Sequence, residues 1–261
     1  MNGGSQKTRN NAIRAESRKA LPKFFAVILT AAVIGFFGGF LIAYFGDTSA
    51  DFFLAMLDEF WRRGLLYFPV LVMVLFGIPS TVLLITARKK LKDLAEDDEA
   101  GAEKVDGLLN AAMIVNTFHQ LADFFVLAII LSTVMKDETW RTFLALGLFL
   151  LSTIWQVVVQ QKTVDAAKLL YPEKRGSIYS SKFNKEWLQS CDERERAEIY
   201  HCGYTGYKFG IYACLILFVV TAIGAVPFGY GPVPSGVVLL IWLCMTLGYL
   251  KEAVRSGKKK K

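Results

Sequence analysis

Residues 65–87 read LLYFPVLVMVLFGIPSTVLLITA and run straight into Arg88, Lys89 and Lys90. Not one Asp, Glu, Lys or Arg interrupts the stretch. About 20 apolar residues in a helix cross the ~30 Å hydrocarbon core of a bilayer, whereas a helix on a water-soluble protein carries charge along its outer face. The stretch predicts a membrane-spanning helix, and the basic triplet marks where it leaves the lipid.

Outward from there the pattern repeats. Of 261 residues 54% are apolar and 13% aromatic, and they gather into blocks separated by charged stretches. Candidate spans are 24–45, 65–87, 108–135, 142–161, 209–230 and 233–250. They predict an all-α, polytopic integral membrane protein, a six-transmembrane-helix bundle, with five crossings or an in-plane segment as the alternative because span three is polar and span six short. Residues 1–23 form a basic N-terminal segment, 162–208 a helical loop and 251–261 a basic tail. The apolar block at 24–45 is too long for a signal-peptide core and lacks a small-residue cleavage pattern, so it reads as a retained span.

Lys and Arg fix the expected orientation, since topology follows these residues rather than net charge. With the N-terminus inside, the cytoplasmic segments hold six, five, nine and six of them, 26 of the 30 in the chain; Arg62, Arg63, Lys136 and Arg141 remain outside. Both termini are expected in the cytoplasm. The net charge of +7 therefore points to a bilayer partner and not to nucleic acid. Cys191, Cys202, Cys214 and Cys244 imply no disulfide framework.

Several segments carry local expectations. Pro69, Pro79 and Pro227 predict kinks or helix ends, and Gly35, Gly39 and Ala31 form a small-residue ridge for close helix approach. Residues 51–61 place Phe52, Phe53, Met56, Leu57 and Phe60 at helical spacing, as in an interfacial helix on the outer face, with a lid over a cavity as the alternative. The acidic run within 92–107 reads as a solvated connector, its crowded carboxylates lacking the alternation of a calcium loop. Within 162–208, residues 171–176 form a turn, and Ser190 is the expected cap of a helix leading into span five.

Span three departs most from a lipid-facing helix, with Asn110, Asn116, His119, Gln120 and Asp123 in an otherwise apolar block. Residues 116, 119, 120 and 123 share one side of a helix, and His119 with Asp123 is an i, i+4 pair. A central Asp costs about 2.5–3.5 kcal/mol on insertion scales, which turns this face inward. Ser152, Gln156 and Gln160 form a matching stripe on span four. An antiparallel pair would set Asn116 near the depth of Gln156 and Gln120 near Ser152. The seam reads as a polar pathway or ligand site with His119 and Asp123 as proton carriers, or else as interhelical hydrogen bonding.

Other chemistry finds little support. Cys191, His201 and Cys202 lack the paired spacing of a zinc site. Gly203, Gly206 and Gly210 lack the order of a phosphate loop, and no HExxH or GxSxG motif occurs. No enzyme, cofactor or metal is expected.

The segment Tyr171-Pro172-Glu173-Lys174-Arg175-Gly176, with Lys182, Phe183, Lys185, Trp187, Leu188, Ser190, Cys191, Asp192 and Glu193, and later Tyr200, Tyr204, Tyr207, Ile241, Trp242, Thr246, Leu247, Tyr249 and Glu252, resembles the DUF3169 membrane proteins of Gram-positive bacteria. The resemblance implies a bacterial plasma-membrane location and supplies no activity. Function then lies between a transport-related or membrane-complex subunit, served by a separate ATPase since the chain has no nucleotide motif, and a sensor signalling through 162–208 to a regulator. An intramembrane enzyme using His119 and Asp123 is the third reading. The oligomeric state is not written in the sequence.

Overall fold

A computed structural model describes residues 51–95, 98–133 and 139–258, with 22, 25, 26, 29, 30 and 33 besides. Among them the secondary structure is helical, without strands. Residues 51–64 are helical, and six further helices follow: α1 (Tyr67–Lys92), α2 (Glu99–Thr133), α3 (Thr139–Leu170), α4 (Phe183–Gln189), α5 (Glu193–Phe228) and α6 (Val233–Lys258). Within α1, α2, α3, α5 and α6, five apolar stretches are long enough to cross a membrane. The candidate span 24–45 and the ridge of Ala31, Gly35 and Gly39 lie outside the described residues, apart from the scattered positions named above.

The helices outrun their apolar cores. With 35 residues, α2 is ~52 Å long at ~1.5 Å per residue, well beyond the ~30 Å of hydrocarbon. The helix that carries span three, expected at 108–135, begins at Glu99, because the end of the acidic run starts a helix. Asp98 accepts a hydrogen bond from the Gly101 backbone N–H at 2.9 Å, and Glu99 sits in the first turn, where carboxylates suit the unpaired N–H groups and the helix dipole. Likewise α3 continues past 161 to Leu170, so much of the expected loop is helix.

The prolines are accommodated differently from one another. Pro69 lies in the opening turns of α1. Pro79 cannot donate its missing N–H and would crowd the carbonyl four residues back; just before it, Met73–Gly77 widens into a single π-turn, a usual way of absorbing such a break. Ser80 and Thr81 hydroxyls both donate to the Gly77 carbonyl, at 3.0 and 2.7 Å. Pro227 falls one residue before the end of α5, and Gly229 and Gly231, both with positive φ, reverse the chain into α6.

Two compact units can be distinguished. The first, Ala55–Gly203, contains α1, α2, α3 and α4 and the start of α5; the second includes Tyr204–Lys261. In the first unit α1, α2 and α3 pack pairwise as a three-helix bundle. One apolar cluster, centred on Leu65, Val72, Val126, Ile130 and Phe149, fills one end, and Leu84, Ala87, Leu109, Val159 and Ala166 fill the other. In the second unit Tyr207 stacks on Tyr249, ring centroids 5.2 Å apart, and Ser235 donates to Thr221 at 3.1 Å.

The segment between α3 and α5 turns at 171–176, as its composition predicts, with Gly176 at φ 113°. Ser190 has a different role from the expected one. It ends α4, its hydroxyl donating to the Trp187 carbonyl at 2.7 Å and accepting from the Arg175 backbone N–H at 3.1 Å. The cap of α5 is Asp192: its carboxylate accepts from the Glu195 N–H at 2.7 Å while Glu195 accepts from the Asp192 N–H at 3.0 Å, a reciprocal capping box.

Candidate functional site

Between the two apolar ends of the bundle lies a polar layer. On α2, Asn116, His119 and Asp123 are 1%, 0% and 3% exposed; on α3, Ser152 and Gln156 are 0% and 2% exposed. His119 Nε2 lies 2.9 Å from Ser152 Oγ, and Ser152 Oγ donates to Asp123 Oδ1 at 2.7 Å. Thr153 donates to Asp123 Oδ2 at 3.5 Å. His119 Nε2 and Asp123 Oδ2 are 3.6 Å apart, so the two residues meet chiefly through the serine.

One hydroxyl carries one proton. With that proton on the Asp123 side, His119 donates from Nε2 and its other nitrogen is left over. His119 Nδ1 and both amide atoms of Asn116 are buried without a hydrogen-bond partner, in a layer where each unmet polar group costs about 1–3 kcal/mol.

The third wall comes from α1. A Cβ placed on Gly77 would stand 3.2 Å from His119 Cε1, 3.7 Å from Nδ1 and 3.7 Å from Trp155 Cδ2. The missing side chain is what admits the imidazole, and the π-turn ends at that residue. Trp155 of α3 donates its indole N–H to Thr81 Oγ1 at 3.0 Å, while Arg88 reaches the Lys162 carbonyl at 2.9 Å. These bonds tie α1 to α3.

The predicted seam is thus partly assembled. His119, Asp123 and Ser152 join in one hydrogen-bonded set. Asn116 and Gln156 are both buried, but Asn116 bonds to neither Gln156 nor any other side chain; Gln156 donates to half-buried Gln160 at 3.3 Å. Gln120 is exposed, and His119 occupies the place beside Ser152 expected for it. At ~100° per residue Gln120 stands ~100° from His119 on the helix wheel, far enough to leave the covered face.

Gly77, Thr81 and Trp155 were not among the expected residues. Gly77-Ile78-Pro79-Ser80-Thr81 is a small and polar interruption of a bulky apolar run, which sets Gly77 and Thr81 apart without showing what they touch, and Trp155 carries no such mark.

Long apolar helices around an inward-facing polar layer define the class: an α-helical protein built for a membrane, with its costly side chains turned to a bundle interior. The family model described as a protein of unknown function, DUF3169, matches residues 18–253. The chain belongs to the DUF3169 family. Neither curated proteins nor solved structures yield a match.

Proposed function

We propose that this is a six-span bacterial plasma-membrane protein, both termini cytoplasmic, acting as a transport-related subunit in which His119 and Asp123 hand a proton across Ser152. The observation that carries this reading is the His119–Ser152–Asp123 chain, at 2.9 and 2.7 Å, sealed between two apolar plugs. Glue alone would be served by amides and hydroxyls, at about 0.6 kcal/mol per interhelical bond. An imidazole beside a carboxylate adds the one pair suited to changing charge near neutrality.

The same geometry speaks against an enzyme. The Ser152 hydroxyl donates to Asp123 in this arrangement, which suits a proton carrier more than a nucleophile whose proton goes to a base. It is also 0% exposed. Orientation is supported by the placement of 26 of 30 basic residues on one side of the six spans.

Infrared titration of the reconstituted protein tests the proton reading. Between about pH 5 and pH 8, a protonated-carboxyl C=O band should come and go, vanish in D123N and move in titration position in H119Q. A band indifferent to pH over that range, or one surviving D123N, overturns it.

A further inference from the structure

A cavity of about 640 Å³ opens where residues 171–202 fold over the ends of α2 and α3, away from the His119 layer. That volume falls within the ~300–1,000 Å³ of small-molecule sites. Leu109, Met113, Val164 and Ile199 give it an apolar floor, and Tyr171, Phe183 and Trp187 an aromatic side. Phe183 and Trp187 are neighbours, ring centroids 5.6 Å apart.

The charges in the wall are unequal. Asp106, Glu195 and Glu198 face one cation, Lys174. Lys174 is 7% exposed and bound to Glu195, which consumes both charges. Glu198 pairs with Arg194 at 3.2 Å on the exposed side, a contact that solvent largely screens. Asp106 accepts from a neutral donor, Asn110 Nδ2 at 2.8 Å, and lies near the Tyr171 hydroxyl, whose proton it helps to hold. No basic side chain in the described lining balances it. An anion would meet this surplus without a free cation, whereas a cation would find a carboxylate beside the faces of aromatic rings.

We propose that the cavity binds an organic cation, an ammonium group carried on an apolar body, with Asp106 as counter-charge and Trp187 as aromatic face. Such a group comes either as a soluble amine or as an amine-bearing lipid headgroup. The site is separate from the His119 layer, and ligand binding here does not depend on whether that layer moves protons.

Equilibrium dialysis of the full chain in mild detergent, with benzyltrimethylammonium as probe and benzenesulfonate as its anionic counterpart, tests the assignment. Saturable binding of the cation alone is expected, with Kd raised about tenfold in D106N and about tenfold in W187L. D106N removes no ion pair and keeps the side-chain shape, so it decides the matter if W187L does not fold. Repeating the titration in nanodiscs separates the sources: phosphatidylethanolamine competes in wild type and not in D106N for a lipid ligand, and leaves Kd unchanged for a soluble one. Equal uptake of benzenesulfonate, no saturable uptake of the cation, or an unchanged Kd in well-folded D106N overturns the proposal.

Discussion

Ser152 is the residue on which the polar layer turns, because it alone touches both His119 and Asp123 at hydrogen-bond distance. S152A should leave two buried groups short of a partner and cost about 1–3 kcal/mol, read as a lowered midpoint in thermal or detergent unfolding. Gly77 matters for the opposite reason. G77V must push against the His119 ring at 3.2 Å and should cost about 1–3 kcal/mol as an overpacked site, with His119 ring signals displaced in NMR spectra. A third residue offers a pH test. Hydrogen bonds from the Arg62 and Arg63 guanidiniums hold Glu59 down at about 2 from a usual 4.5. A lowered folded-state value means that its contribution is present above the usual value and is lost as pH falls through about 2. Carboxyl NMR should show Glu59 ionised at about pH 4, returning towards ordinary titration in R62Q/R63Q. His119, Asp123 and Ser152 were legible in the sequence because polar groups in an apolar run have to point inward. Gly77 and Trp155 were not, since a glycine beside an imidazole and an indole reaching a threonine depend on which helices touch.

At the scale of elements, apolar blocks locate helices well and their ends poorly. Hydropathy falls off where the lipid ends, but backbone hydrogen bonding continues, so α2, α3 and α5 each extend beyond the expected spans. Capping residues were no surer a guide to those ends, since Ser190 was the expected cap where Asp192 is the actual one. Asp98 and Asp192 sit in acidic runs where several carboxylates compete for the position, and geometry alone selects among them. D192A should cost about 0.5–2 kcal/mol and speed amide exchange in the first turn of α5. Ser190→Ala should instead loosen the joint between Arg175 and α4, leaving that turn protected. Nearby, burial is the largest influence on the Lys174 ammonium and works against it, but its interactions with Glu195 and Cys191 together outweigh this and raise the lysine above its ordinary value. The contribution of that pair is therefore present between the ordinary carboxylate value and about pH 10.4, and is lost as pH rises through the raised lysine value or falls through the lowered glutamate one.

For the molecule as a whole, the chain's apolar periodicity established an all-helical membrane architecture, and the uneven distribution of Lys and Arg supplied an orientation to test. A reporter active only outside the cytoplasm, fused after Lys261, should be silent, and the same reporter inserted between spans three and four, after residue 136, should be active. Signal from the C-terminal fusion would reverse the proposed topology. Helix pairing was the part least accessible from sequence. Spans three and four could be matched through a short turn, but nothing in either announced that α1 would supply the third wall of the polar layer.

The wide turn at Met73–Gly77 makes that wall a matter of phase. A π-turn holds one residue more than the α-helical turn it replaces. Deleting Phe76 would let the helix close into regular α geometry, and because the wide turn had absorbed the extra residue, the frame downstream would keep its phase. Thr81 and Arg88 would still face Trp155 and Lys162. A one-residue deletion and an equally small insertion are therefore unequal injuries here: the first removes an irregularity and spares the register that the bundle depends on, while the second must widen the turn further or shift that register by ~100°.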